Sequence, residues 1–106
     1  LFSSTALEGS TNILPTMNCA LNTLEAGKDQ RPHRHNGVAV TLCIRGHGVY
    51  SQIEDHRVDW IDYGVQITPP AALHSHHNRG RERMECLIFQ DEALHYYTRT
   101  PGFSWT

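Results

Sequence analysis

The chain has 106 residues, 39% of them hydrophobic and 19% charged, with a net charge of −2. That composition suits a single globular domain with one core and excludes an extended disordered chain. There is no basic excess to recruit nucleic acid or an anionic membrane surface, and no apolar run approaches the roughly 20 residues of a membrane helix.

The sequence opens on Leu1, as a trimmed chain or part of a longer protein would, and shows no secretory signal pattern. Residues 1–12, "LFSSTALEGSTN", are small and polar and read as an N-terminal arm. One domain is expected from 13 to 106, with no internal boundary.

From there, short segments alternate with turn signals. "MNCALNTLEA" (17–26) ends at Gly27, and "VAVTLCI" (38–44) is β-branched and stops at "RGHG" (45–48). "VYSQIED" (49–55), "RVDWI" (57–61) and "VQIT" (65–68) follow, the last running into Pro69 and Pro70. "RMECLIFQ" (83–90) is another strand-like run. Short runs rich in Val, Ile, Thr and aromatics, punctuated by Gly and Pro, predict an all-β sandwich or barrel. Helix signal is confined to "DEALHYY" (91–97), with Asp91 as the expected N-cap. The aromatic tail "HYYTRTPGFSWT" is expected to cap the barrel or to meet another subunit. Cys19, Cys43 and Cys86 form no CxxC pair, which predicts reduced thiols in a cytoplasmic protein, with Cys43 and Cys86 in the core.

Five of the eight histidines fall in "RPHRHNGVAV" (31–40) and "PPAALHSHHN" (69–78). His33 and His35 are two apart, so on a strand they face the same way and can grip one ion. A barrel can bring His74 opposite them. Three neutral imidazoles suit Fe, Zn, Cu, Ni or Mn and leave coordination positions open for substrate. His76 and Asn78 share the parity of His74. His76 is the candidate catalytic residue, as an acid/base group or substrate contact. Asn78 is expected to fix the strand, and His77 to face outward. Arg31 has the parity to clamp a substrate carboxylate. Arg34, between the two ligands, should point out. Gln52, Tyr50 and Trp60 are candidate cavity residues, with Gln52 taken as substrate-binding, although alternation alone does not fix which way they face.

The spacings carry a resemblance. Gly27, five residues, His33-Arg34-His35, three residues, Ala39, six residues and Gly46 resemble the first motif of the cupin superfamily, except that Ala39 stands where the motif has Glu. Pro69, Ala71, His74 and Asn78 hold the offsets of its second motif. There the motif glycine is displaced to Gly64, where the count expects Tyr63, and Ala71 replaces the glycine of Pro-x-Gly. The resemblance covers about residues 17–90. It implies a double-stranded β-helix (jelly-roll) barrel with His33, His35 and His74 as metal ligands.

With Ala39 unable to coordinate, the expected site is three histidines, and a ferrous ion there keeps its full charge toward an anionic bidentate substrate and O2. "HRHNGVAVTLCIRGHG" is similar to ring-cleaving dioxygenases of the gentisate, salicylate and hydroxynaphthoate group, which are commonly two-cupin chains. The expectation is an Fe(II) dioxygenase acting on a small aromatic or hydroxy-carboxylate substrate with O2, with Zn, Ni, Mn and Cu as alternative metals. A homodimer, and no nucleic-acid or membrane partner, are also expected. Two alternatives stay open. One is a non-catalytic cupin, either a small-molecule sensor or one domain of a two-cupin protein. The other is a metal-dependent isomerase or lyase on the same barrel.

Overall fold

The structure is a computed structural model that describes residues 2, 13–14, 16–99 and 102–106. Apart from Phe2, whose amide donates to the Cys19 carbonyl at 2.8 Å, the expected arm at 1–12 lies outside the described residues.

Among the described residues, nine strands and one short helix run in the order β1 (Asn18–Leu24), β2 (His33–His35), β3 (Ala39–Arg45), β4 (Val49–Ile53), β5 (His56–Asp59), β6 (Val65–Thr68), β7 (His74–Asn78), β8 (Met84–Gln90), α1 (Glu92–Tyr97) and β9 (Phe103–Trp105). They form two antiparallel sheets, ordered β1-β8-β3-β6 and β5-β4-β7-β2-β9. This is the all-β jelly-roll barrel that the sequence led us to expect. Among the described residues, no helix is long and apolar enough to cross a membrane.

Strand alternation divides the residues between faces. Ala39, Cys43, Met84, Cys86 and Ile88 point inward from the four-stranded sheet and form the core with Val49 and Trp60. The inner face of the other sheet is polar: His33, His35, Ser51, His74, His76 and Asn78 are all buried. A barrel with one apolar wall and one imidazole-lined wall has a core on one side and a site on the other. Cys19, Cys43 and Cys86 are buried free thiols, and burial pushes Cys86 up to about 12.

The turns explain the motif glycines and their two departures. Gly27 has a φ of 77°, a left-handed conformation that glycine adopts without steric cost. At Gly46 a Cβ would lie 2.6 Å from Cys43 Sγ, so a close approach excludes any side chain. Tyr63 and Ala71, which occupy the expected glycine positions, still take left-handed φ values of 63° and 62°. The backbone demand is kept while the residue that meets it freely is absent.

Asp91 stands immediately before α1, in the N-cap position; its Oδ1 accepts from the Val38 amide at 2.9 Å, tying α1 to the start of β3, and lies 3.9 Å from His95 Nε2 one turn along the helix. The tail is not merely a cap, because Phe103–Trp105 adds an edge strand to β2 and pairs His33 with Trp105.

Candidate metal centre

β2 and β7 are hydrogen-bonded neighbours with His33 opposite His74, and the i, i+2 spacing puts His35 on the same face. The three imidazoles are buried, and one ligand nitrogen from each lies within 4.8 Å of the others. The ring centroids of His33 and His74 are 4.2 Å apart, and those of His35 and His74 4.8 Å.

Each ring is oriented from behind by a backbone carbonyl two residues away. His33 Nδ1 lies 3.0 Å from Arg31 O, His35 Nδ1 2.8 Å from Gly37 O, and His74 Nδ1 3.0 Å from Ala72 O. A carbonyl oxygen can only accept, so the Nδ1 atoms carry the protons and each Nε2 keeps a free lone pair. Burial lowers the pKa of His33, and pushes that of His74 down to about 4, holding both rings in the neutral, ligating form. Three convergent Nε2 lone pairs on neutral rings fit a divalent transition-metal ion. Among the described residues no carboxylate joins the cluster, and Ala39 is buried in the core.

A carboxylate does reach His35 from behind. Glu92 Oε1 is 3.3 Å from His35 Nδ1 and accepts from the Gly37 amide at 3.1 Å. Gly37 permits this approach, because a Cβ there would sit 2.5 Å from the same oxygen. Glu92 was not singled out in the sequence; only its place at the start of a helix candidate hinted at it.

His76 stands next to the triad, its ring centroid 5.8 Å from that of His74. Its Nδ1 is 2.7 Å from Ser51 Oγ, which accepts the Trp60 Nε1–H at 2.7 Å. With Ser51 fully buried and Trp60 only a donor, the serine proton goes to His76 Nδ1. The ring therefore presents Nε2–H as a donor. Burial, reinforced by the neighbouring imidazoles, pushes His76 down to about 3 and keeps it neutral.

His76 lines a cavity of about 520 Å³ together with Asn22, Gln30, Met84, Cys86 and Ile88. Gln30 was missed in the sequence. Its amide donates to the His76 carbonyl, and the pairing register slips by one residue between Asp29–His77 and His33–His74. That slip turns Gln30 inward and defeats the parity argument for Arg31. Arg31 is exposed, with its guanidinium 5.5 Å from the Trp105 ring and its Nε donating to Thr106 O. Gln52 also departs from expectation: it pairs with Ser75 on the outer face of its sheet and donates to Glu54 O, so it does not face the triad.

Arg34 and His77 fall where alternation put them, and the fold settles the facing of Tyr50 and Trp60, which alternation left open. Arg34 points out to Glu54 at 3.1 Å, and His77 is partly buried on the outer face against Asp29 at 2.7 Å. Tyr50 lies on that outer face, stacked on His77, and Trp60 is buried in the core. Asn78 is fully buried; its Nδ2 donates to Leu24 O and Glu82 O, and its Oδ1 accepts from Gly80.

No protein-family model matches the chain. No curated protein matches it in sequence. Solved structures do match. Salicylate 1,2-dioxygenase from Pseudaminobacter salicylatoxidans superposes with a TM-score of 0.93 at 22% identity, over 99% of this chain and 30% of that one. A structure of that enzyme with gentisate gives 0.90 at 22% identity, over 96% and 28%. A cupin-2 domain from Rhodospirillum rubrum gives 0.69 at 15% identity, over 86% and 55%.

The fold is a cupin fold.

The chain spans about 30% of the length of the dioxygenase it matches. The cupin barrel accounts for the placement of the two histidine runs, because its adjacent β2 and β7 are the strands that carry them.

Proposed function

We propose that His33, His35 and His74 hold a divalent metal, Fe(II) in the first instance, and that the cupin is a non-haem dioxygenase of small aromatic or hydroxy-carboxylate substrates. The observation that carries this reading is the triad itself: three buried imidazoles with one ring nitrogen each within 4.8 Å of the others, and no carboxylate among them. The structural likeness to a dioxygenase supports it. Bound there, iron would supply the electron transfer between an ionised chelating substrate and O2 that no side chain provides.

The chain's own residues divide the remaining work. The carbonyls of Arg31, Gly37 and Ala72 hold the ligand rings in one tautomer. His76, fixed by Ser51, offers Nε2–H to an oxygen atom bound beside the triad, so its role is donor rather than base. Met84, Cys86 and Ile88 give the cavity one apolar wall. Arg31, on Trp105, is a rim residue that would meet only a substrate extending out of the site.

The test is metal analysis of protein isolated anaerobically, followed by oxygen uptake with gentisate- and salicylate-type phenols. Iron-loaded protein that consumes no oxygen with any of them would overturn the dioxygenase reading. A second reading, a non-catalytic cupin within a larger protein, is favoured by the chain's covering only 30% of the matched dioxygenase. Ligand binding without turnover would select it.

A further inference from the structure

A second cavity lies away from the triad. β5 and β6 each end their sheet and do not pair with one another. Where they meet, a cavity of about 220 Å³ is lined by residues that include Thr41, Val58, Trp60, Ile61, Val65 and Gln66. Its described lining includes none of His33, His35 and His74, so it stands apart from the metal-centre reading.

Gln66 pairs with Thr41, whose side chain is buried, and so shares the inner face of its sheet. Val65 and Ile67, at the alternate positions, are exposed. Both polar atoms of the Gln66 side chain, Oε1 and Nε2, are buried with no hydrogen-bond partner. A buried amide with neither donor nor acceptor met is costly, and native interiors seldom leave one so. A group in the cavity that carries an acceptor and a donor side by side would meet both atoms at once.

The rest of the lining says what should carry that group. Trp60 gives its Nε1–H to Ser51 Oγ, so it offers a ligand ring surface and no hydrogen bond. Val58, Ile61 and Val65 add apolar surface that is otherwise exposed. Asp59, the only charged side chain in the described lining, is held by Arg57 at 2.9 Å. No Lys or Arg is in that lining, so an ionised ligand would lose water and gain no counter-charge. A cavity of roughly 150 Å³ admits benzene. The larger volume here suits one ring with a small substituent.

We infer that this cavity is a binding site for a small neutral aromatic amide. Its C=O accepts from Gln66 Nε2–H and its N–H donates to Gln66 Oε1. The class takes in primary carboxamides and lactams on a single ring.

Benzamide, acetophenone and benzoate test this on the unmodified protein. Each is one ring, bearing in turn a donor with an acceptor, an acceptor alone, and a charged acceptor. Each is titrated into isotope-labelled protein and followed by NMR. Benzamide should bind about tenfold more tightly than either of the others. Its binding should also move the side-chain amide signals of Gln66. In Gln66→Leu, which removes both hydrogen-bonding atoms at similar volume, benzamide should fall to the affinity of acetophenone. Circular dichroism checks that this variant folds; if it does not, the ligand series and the Gln66 signals of the unmodified protein decide. Equal affinities for benzamide and acetophenone would overturn the inference, as would a benzamide preference that survives Gln66→Leu. Tighter binding of benzoate, or no benzamide binding into the millimolar range, would overturn it as well.

Discussion

Ser51 Oγ lies 2.7 Å from His76 Nδ1 and, on its other side, 2.7 Å from Trp60 Nε1. One buried hydroxyl thus joins the largest core side chain to the imidazole beside the candidate metal centre.

Removing that hydroxyl should be costly in two ways. Ser51→Ala leaves the Trp60 N–H unsatisfied and frees His76 to change tautomer. The expected loss is about 1–3 kcal/mol, the penalty of a buried unpaired polar group. Chemical denaturation measures it. Ser51→Thr, which keeps the hydroxyl, should restore the hydrogen-bonding pattern if its extra methyl is accommodated.

The two residues standing in for motif glycines make an opposite prediction. Tyr63 and Ala71 are exposed and hold left-handed φ values, so little packing is lost on substitution. Tyr63→Gly and Ala71→Gly should each stabilise the fold by up to about 1 kcal/mol, the steric relief exceeding the entropy glycine adds to the unfolded chain. Thermal midpoints that fall on both substitutions would show that these turns are not strained.

Much of this was legible in the sequence, for identifiable reasons. Strands β3 and β6 announce themselves through β-branched runs and β8 through a short apolar run, and His33, His35 and His74 through alternation and spacing. Asn78 was expected to fix its strand; two of its side-chain hydrogen bonds, to Glu82 O and from the Gly80 amide, fasten the β7–β8 turn, and a third ties it to Leu24 O on β1. What alternation missed was register. A one-residue slip before Pro32 turns Gln30 inward in place of Arg31, and no spacing rule anticipates it. Gln52 was open for a related reason: the parity of β4 against β7 is set by pairing Ser51 with His76, a long-range fact. Glu92 and the strand Phe103–Trp105 are likewise tertiary, meeting β2 from sequence distances that local pattern does not register.

A pH dependence follows from the loop that precedes His74. Glu54 Oε1 accepts from the Leu73 amide at 2.8 Å and from Arg34 at 3.1 Å. The Leu73 hydrogen bond chiefly, and Arg34 next, hold its carboxyl below the usual value. A lowered folded pKa means the contribution is complete above the unfolded value and is lost as pH falls through the folded one. Denaturation midpoints should therefore fall less steeply on acidification in Glu54→Gln than in the unmodified protein. Identical slopes would show that Glu54 does not fasten this loop.

The central claim is that His33, His35 and His74 together bind one metal ion. Metal content per chain, measured on protein isolated without added metal-binding tags, in the unmodified form and as His74→Ala, tests it most directly. The account predicts close to one transition-metal ion per chain in the former and near-complete loss in the latter. Unchanged stoichiometry in His74→Ala, with the fold intact by circular dichroism, would contradict it.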